Sequence, residues 1–132
     1  MLIPGVSAQD VDSQGGYIVT PAGDMVLPDV ILPMSVDTIT QGEMDWYSRY
    51  VSSGTASMTV DLNWGNTANS LSLTILAPDA TLGPYYDSSD GSTNGRIAFI
   101  VSQYGGLTPG TWTFLVYGDR VAGTQSYNFN TY

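Results

Sequence analysis

The chain has 132 residues and a net charge of −9, from 12 Asp and Glu against three Arg, with no Lys, His or Cys. That is the size of one domain without disulfides, thiolate metal sites, cysteine or Schiff-base nucleophiles, a Ser-His-Asp triad or the usual His and Cys ligands of zinc. Three arginines cannot form the cationic patch that nucleic acid or an anionic membrane requires, whereas cations suit an acidic surface.

At the N-terminus, Val6-Ser7-Ala8 before Gln9-Asp10 has the small-residue spacing of a signal-peptidase cut, and Leu2 and Ile3 fit the end of an apolar stretch. Residues 1–8 are therefore expected to be the remnant of a signal peptide, and the protein to reach the cell surface or the extracellular space. No segment approaches the ~20 apolar residues of a membrane span, so membrane insertion is not expected. Residues 9–36 contain Pro21, Pro28 and Pro33. Proline cannot donate to a sheet ladder, so this part reads as an extended arm or an edge strand, or as a strand offered to a neighbouring molecule. Tyr17–Val19 and Val26–Leu32 are its short β candidates.

From residue 37 to 132 the pattern is that of a sheet protein. Trp46, Tyr47, Tyr50 and Val51 mark a strand. In Ser57–Trp64 every second residue is apolar, the period of a half-buried strand. Leu71, Leu73 and Ile75 repeat the alternation after Gly65–Asn69, and the pair reads as a hairpin with a long loop. Ile97, Phe99 and Val101 form the next strand, with Ala98 and Ile100 pointing to burial on both faces. Trp112, Phe114 and Val116 follow a Pro109-Gly110 turn, and Tyr127 and Phe129 close the chain. Short strands divided by Gly and Pro, without helical periodicity, predict an all-β fold: an antiparallel β-sandwich of jelly-roll type with an extended N-terminal arm.

Two kinds of site are legible. Asp87-Ser88-Ser89-Asp90-Gly91-Ser92-Thr93-Asn94-Gly95 concentrates oxygen donors and glycines, as calcium sites do, and Asp87, Asp90 and Asn94 are its candidate ligands. It lacks the order of an EF-hand loop. Glu43 and Asp45 are a second candidate metal pair. Both acidic groups also raise the one catalytic option left, a glycosidase-type carboxylate pair, although turn formation and cation binding suit them better and no enzyme is expected. Trp64, Tyr85, Tyr86, Tyr104 and Tyr117 lie near strand ends or loops, where aromatic rings can stack on sugars or grip a protein partner. Trp46 and Trp112 are expected to face the core.

From Ile39 onward the order of several short motifs resembles the pre-peptidase C-terminal domain family, particularly versions in archaeal surface proteins. These motifs are Gly42-Glu43-Met44-Asp45-Trp46-Tyr47, the alternating run Ser57–Trp64, Leu71–Ile75 with Pro78-Asp79, Pro109-Gly110-Thr111-Trp112, and Tyr127-Asn128-Phe129. Ala80 stands where that family has Gly, and no peptidase precedes the domain in this sequence. The resemblance implies a non-catalytic β-sandwich of secreted proteins, in some cases calcium-stabilised, that aids secretion, substrate contact or surface attachment. The expected function is accordingly an extracellular binding or accessory module that contacts a protein or polysaccharide at the cell surface. The alternative is a structural subunit of a surface layer or filament, assembled by strand exchange through residues 9–36.

Overall fold

A computed structural model describes residues 16–22 and 35–132. Among these residues nine strands form two antiparallel sheets. The five-stranded sheet has the order β1 (Tyr17–Pro21), β7 (Arg96–Gln103), β4 (Ser57–Asn63), β9 (Thr124–Thr131), β2 (Ser35–Thr40). The four-stranded sheet has the order β3 (Met44–Val51), β8 (Gly110–Arg120), β5 (Ser70–Ala77), β6 (Ala80–Tyr85). One 3-10 turn, Asp87–Asp90, joins β6 to β7.

The core follows from the period-two alternation read in the sequence. Val60 and Leu62 of β4, Leu71, Leu73 and Ile75 of β5, Ile97, Phe99 and Val101 of β7, and Trp112, Phe114 and Val116 of β8 are all buried between the sheets. Trp112 faces the core as expected, and its indole N–H donates to the Thr108 carbonyl, 2.9 Å away. The sandwich is thus the all-β fold expected from the sequence.

One expectation changes. The pair read as a β4–β5 hairpin is not one, because β4 lies in the five-stranded sheet and β5 in the four-stranded sheet. The connection turns a corner between the layers. The Trp64 indole N–H bonds the carbonyls of Asn66 and Asn69 there, and the Trp64 and Gly65 N–H groups both donate to Gly95 O. Gly95, at φ +75°, has no room for a Cβ, which would lie 2.6 Å from the Gly65 carbonyl carbon. The true neighbour of β5 in sequence and space is β6, across the Pro78-Asp79 turn, with Ala77 paired to Ala80.

The N-terminal arm is also part of the sandwich. Tyr17–Pro21 pairs with β7 of its own chain, and Tyr17 and Val19 are fully buried. Of the alternatives for this segment, its described part is an edge strand, and β2 (Ser35–Thr40) runs across the expected boundary at residue 37. The signal-like residues 1–8 and the β candidate Val26–Leu32 lie outside the described residues.

Candidate functional site: an aromatic sheet face and three polar clusters

The outer face of the four-stranded sheet carries the large side chains that the core does not take up. On β3, Tyr47 and Val51 turn inward, so Met44, Trp46, Ser48 and Tyr50 turn outward. Trp46 is 63% exposed and Tyr50 69%, which corrects the expectation that Trp46 faces the core. On an edge strand, aromatic residues on both parities leave the alternation without a unique inward face; the burial of Val51 resolves it. Next to β3, the register places Leu115 opposite Trp46 and Tyr117 opposite Met44. Beyond Tyr117, a recess of about 210 Å³ is bounded by Met44, Ser72, Thr74, Pro84, Tyr86 and Asp119, among others. Tyr86 also lines a second, polar recess with Asn69, Ser70, Ser88, Thr93 and Arg120. The result is a band of aromatic and apolar surface edged by hydroxyl groups.

Of the aromatic residues expected to bind a ligand, the structure brings Tyr86 to this band, together with Tyr117. Tyr104 is fully exposed, but on the turn after β7. Trp64 and Tyr85 are corrected to core positions. Trp64 is held by its two indole hydrogen bonds, and the Tyr85 ring packs on Phe99 with centroids 4.7 Å apart. Neither presents a ring face for stacking. Trp46 and Tyr50, the most exposed aromatics of the face, were not selected from the sequence. Their only signal was placement on a strand with large residues at both parities.

The oxygen-rich loop turns its carboxylates toward its own backbone. Asp87 is buried and accepts N–H bonds from Asn94 (3.0 Å), Gly95 (2.8 Å) and Arg96 (3.4 Å). Asp90 accepts from Ser92 and Ala98, each at 3.2 Å. Asn94 enters this network through its backbone N–H. Asp87 therefore pins the start of β7 to the turn after β6.

Burial pushes the Asp90 carboxyl above the ordinary carboxylate range, against the opposing pull of the Ala98 and Ser92 N–H groups. A carboxyl whose pKa is raised in the folded state contributes stability that is fully present below its unfolded value and lost as pH rises through the folded one. Replacing Asp90 with Asn should therefore remove this loss, so that the variant gains stability relative to the wild type as pH rises through the carboxylate range. Urea denaturation of both proteins across the carboxylate range measures this; parallel profiles would contradict it.

Glu43 and Asp45 do meet. They share a hydrogen bond that lowers Glu43, while burial raises Asp45, so a single proton on the pair resides on Asp45. Asp45 also accepts the Tyr127 hydroxyl at 2.6 Å, and Tyr127 and Tyr47 hydroxyls bond each other at 2.5 Å. Burial, reinforced by Asp45, holds the Tyr127 hydroxyl protonated. Glu43 accepts the Thr40 N–H at 3.0 Å, closing the turn between the sheets. Carboxyls in direct hydrogen bond leave no gap for a sugar ring, and glycoside hydrolysis needs about 5 Å or more between them. Asp87 and Asp90 are likewise spent on amides. Among the described residues no group of three or more Asp or Glu gathers with metal-ligand geometry.

Fold and face together define an antiparallel β-sandwich with one aromatic sheet surface. No family model matches the chain. It is similar to an uncharacterized protein of Archaeoglobus fulgidus, 49% identical over 45 residues. That match spans 34% of this chain and 62% of the relative.

Proposed function

We propose that the protein is a non-catalytic extracellular binding module that holds a polysaccharide chain against the outer face of its four-stranded sheet. The observation that carries this reading is the joint exposure of Met44, Trp46 and Tyr50 on one face, continuous with Leu115 and Tyr117. Contiguous exposed apolar surface of this kind marks a binding surface in a soluble domain. Flat rings give sugar C–H faces a stacking surface, and Ser48, Thr74 and Thr113 beside them offer hydroxyls to the sugar's own. The acidic chain, with one ion pair (Arg96 to Asp61) among the described residues, favours a neutral polymer over a polyanion.

Trp46→Ala should leave stability within about 1 kcal/mol, because the side chain is mostly exposed, and should abolish retardation of the protein in gels cast with the polysaccharide it binds. Retardation that survives in Trp46→Ala, or a wild-type protein that no neutral polysaccharide retards, would overturn the reading.

A further inference from the structure

The four sheet edges of the sandwich differ in how they are closed. β1 is five residues long and ends in Pro21; β2 has six residues; β6 has six and contains Pro84. Short edge strands and prolines discourage pairing with another chain. β3 has eight residues, with no proline, glycine or lysine, and among the described residues only β8 pairs with it.

The bulge that starts β3 fixes which backbone groups reach its open edge. Gly42 N–H donates to Gly118 O, and Gly118 N–H donates to Glu43 O, each at 2.9 Å. An antiparallel ladder alternates from there. Asp45, Tyr47 and Arg49 turn their N–H and C=O to β8, and Met44, Trp46, Ser48 and Tyr50 turn theirs to the open edge. One side chain of the strand is also incompletely satisfied: Arg49 Nη1 is shielded from solvent and has no hydrogen-bond partner among the described residues. An unmet buried donor is costly, more so on a charged group.

Read backwards, β3 complements itself. With Tyr47 on a two-fold axis, Met44 stands opposite Tyr50, Asp45 opposite Arg49, and Trp46 opposite Ser48. Side chains paired this way share a face. The exposed apolar residues meet on the outer side, and each Arg49 meets a carboxylate on the inner side, twice by symmetry. An axis at Ser48 would put Asp45 opposite Val51 and Arg49 opposite Tyr47, and lose both ion pairs.

We infer that β3 pairs antiparallel with β3 of a second copy of this chain, about a two-fold axis at Tyr47, joining two four-stranded sheets into one continuous eight-stranded sheet. The pairing would align the aromatic bands of the two copies into a single longer surface. It stands independently of the polysaccharide reading, since its test contains no polymer.

Sedimentation velocity over a concentration series reads it directly. The wild type should be a dimer that dissociates on dilution. Ser48→Pro should be monomeric with its β3–β8 ladder intact, because the N–H it removes faces the open edge. Arg49→Asp and Asp45→Arg should each weaken the dimer at least about tenfold, since like charges then stand opposite across the strands. Mixed in equal amounts they should recover a heterodimer, in which both crossed positions again carry opposite charges. A wild type that stays monomeric at millimolar concentration would overturn the inference. So would a dimer that persists in Ser48→Pro, or failure of the mixture to associate when both variants melt cooperatively. If Asp45→Arg does not fold, Ser48→Pro and Arg49→Asp alone decide.

Discussion

A chain that begins after Ala22 should not fold to a cooperatively melting state. The deletion removes β1, and with it Tyr17 and Val19, both fully buried. Tyr17 ties the layers together: its ring meets Trp112 edge-on at 5.3 Å, and its hydroxyl bonds Asp79 at 2.7 Å and Thr108 at 2.6 Å. Asp79 sits in the β5–β6 turn and Thr108 precedes β8, so a strand at the edge of one sheet fastens two segments of the other. Loss of β1 also bares the β7 backbone from Phe99 to Gln103. Tyr17→Ala alone should cost about 3–5 kcal/mol, the range for aromatic deletions in cores, against a total of about 5–15 kcal/mol for a domain. Tyr17→Phe, which keeps the ring, should cost only about 1–2 kcal/mol. Urea denaturation of the three proteins checks the order. A truncated chain with a wild-type midpoint would show that β1 is dispensable.

Asp87→Ala should cost about 3 kcal/mol or more. It strips the acceptor from three N–H groups at once, at least one of them buried, and each unsatisfied buried donor costs about 1–3 kcal/mol. Asn keeps the shape but offers one acceptor oxygen in place of two, so Asp87→Asn should fall between Ala and the wild type. Thermal melts measure both. Run in chelator and in calcium, the same melts test the cation role that the composition of residues 87–95 suggested. Saturating calcium at 100 times Kd adds about 2.7 kcal/mol, a shift of about 10 °C in a domain of this size. Such a shift in the wild type, absent in Asp87→Ala, would add an ion to the brace. Superimposable melts would leave the amide bonds as its whole basis.

These two sites show where sequence pattern carries information and where it stops. The alternation in Ser57–Asn63, Arg96–Gln103 and Gly110–Arg120 is a local consequence of burying one face of a strand, so the core strands and Trp112 were legible. Strand partners are not local. β4 and β5 adjoin in sequence with a plausible loop between them, yet the Gly65–Gly95 contact turns that loop into a corner between layers, and nothing in residues 57–75 alone encodes Gly95. β6 escaped notice because Gly83 and Pro84 interrupt its pattern.

The candidate site residues were harder still. Composition showed that Asp87, Asp90 and Asn94 form a group of oxygen donors, but not that the Asp87 carboxylate folds onto the N–H groups of residues 94–96. Glu43 and Asp45 do lie together, Glu43 in the turn before β3 and Asp45 near the start of the strand. Trp64 and Tyr85 looked peripheral from their places at strand ends, and packing drew both inward. Trp46 looked central from its place on a strand, and its parity, opposite to that of buried Val51, turns it outward.

Tryptophan emission during titration with a neutral polysaccharide reports on the outer face of the four-stranded sheet itself. Trp64 and Trp112 are buried, so Trp46 dominates the solvent-sensitive signal. Polymer seated on the face should give a saturable blue shift with reduced acrylamide quenching, both absent in Trp46→Phe and Trp46→Ala. Emission and quenching that remain unchanged with polymers that retard the protein in gels would contradict it, because binding would then lie away from the outer face of the four-stranded sheet.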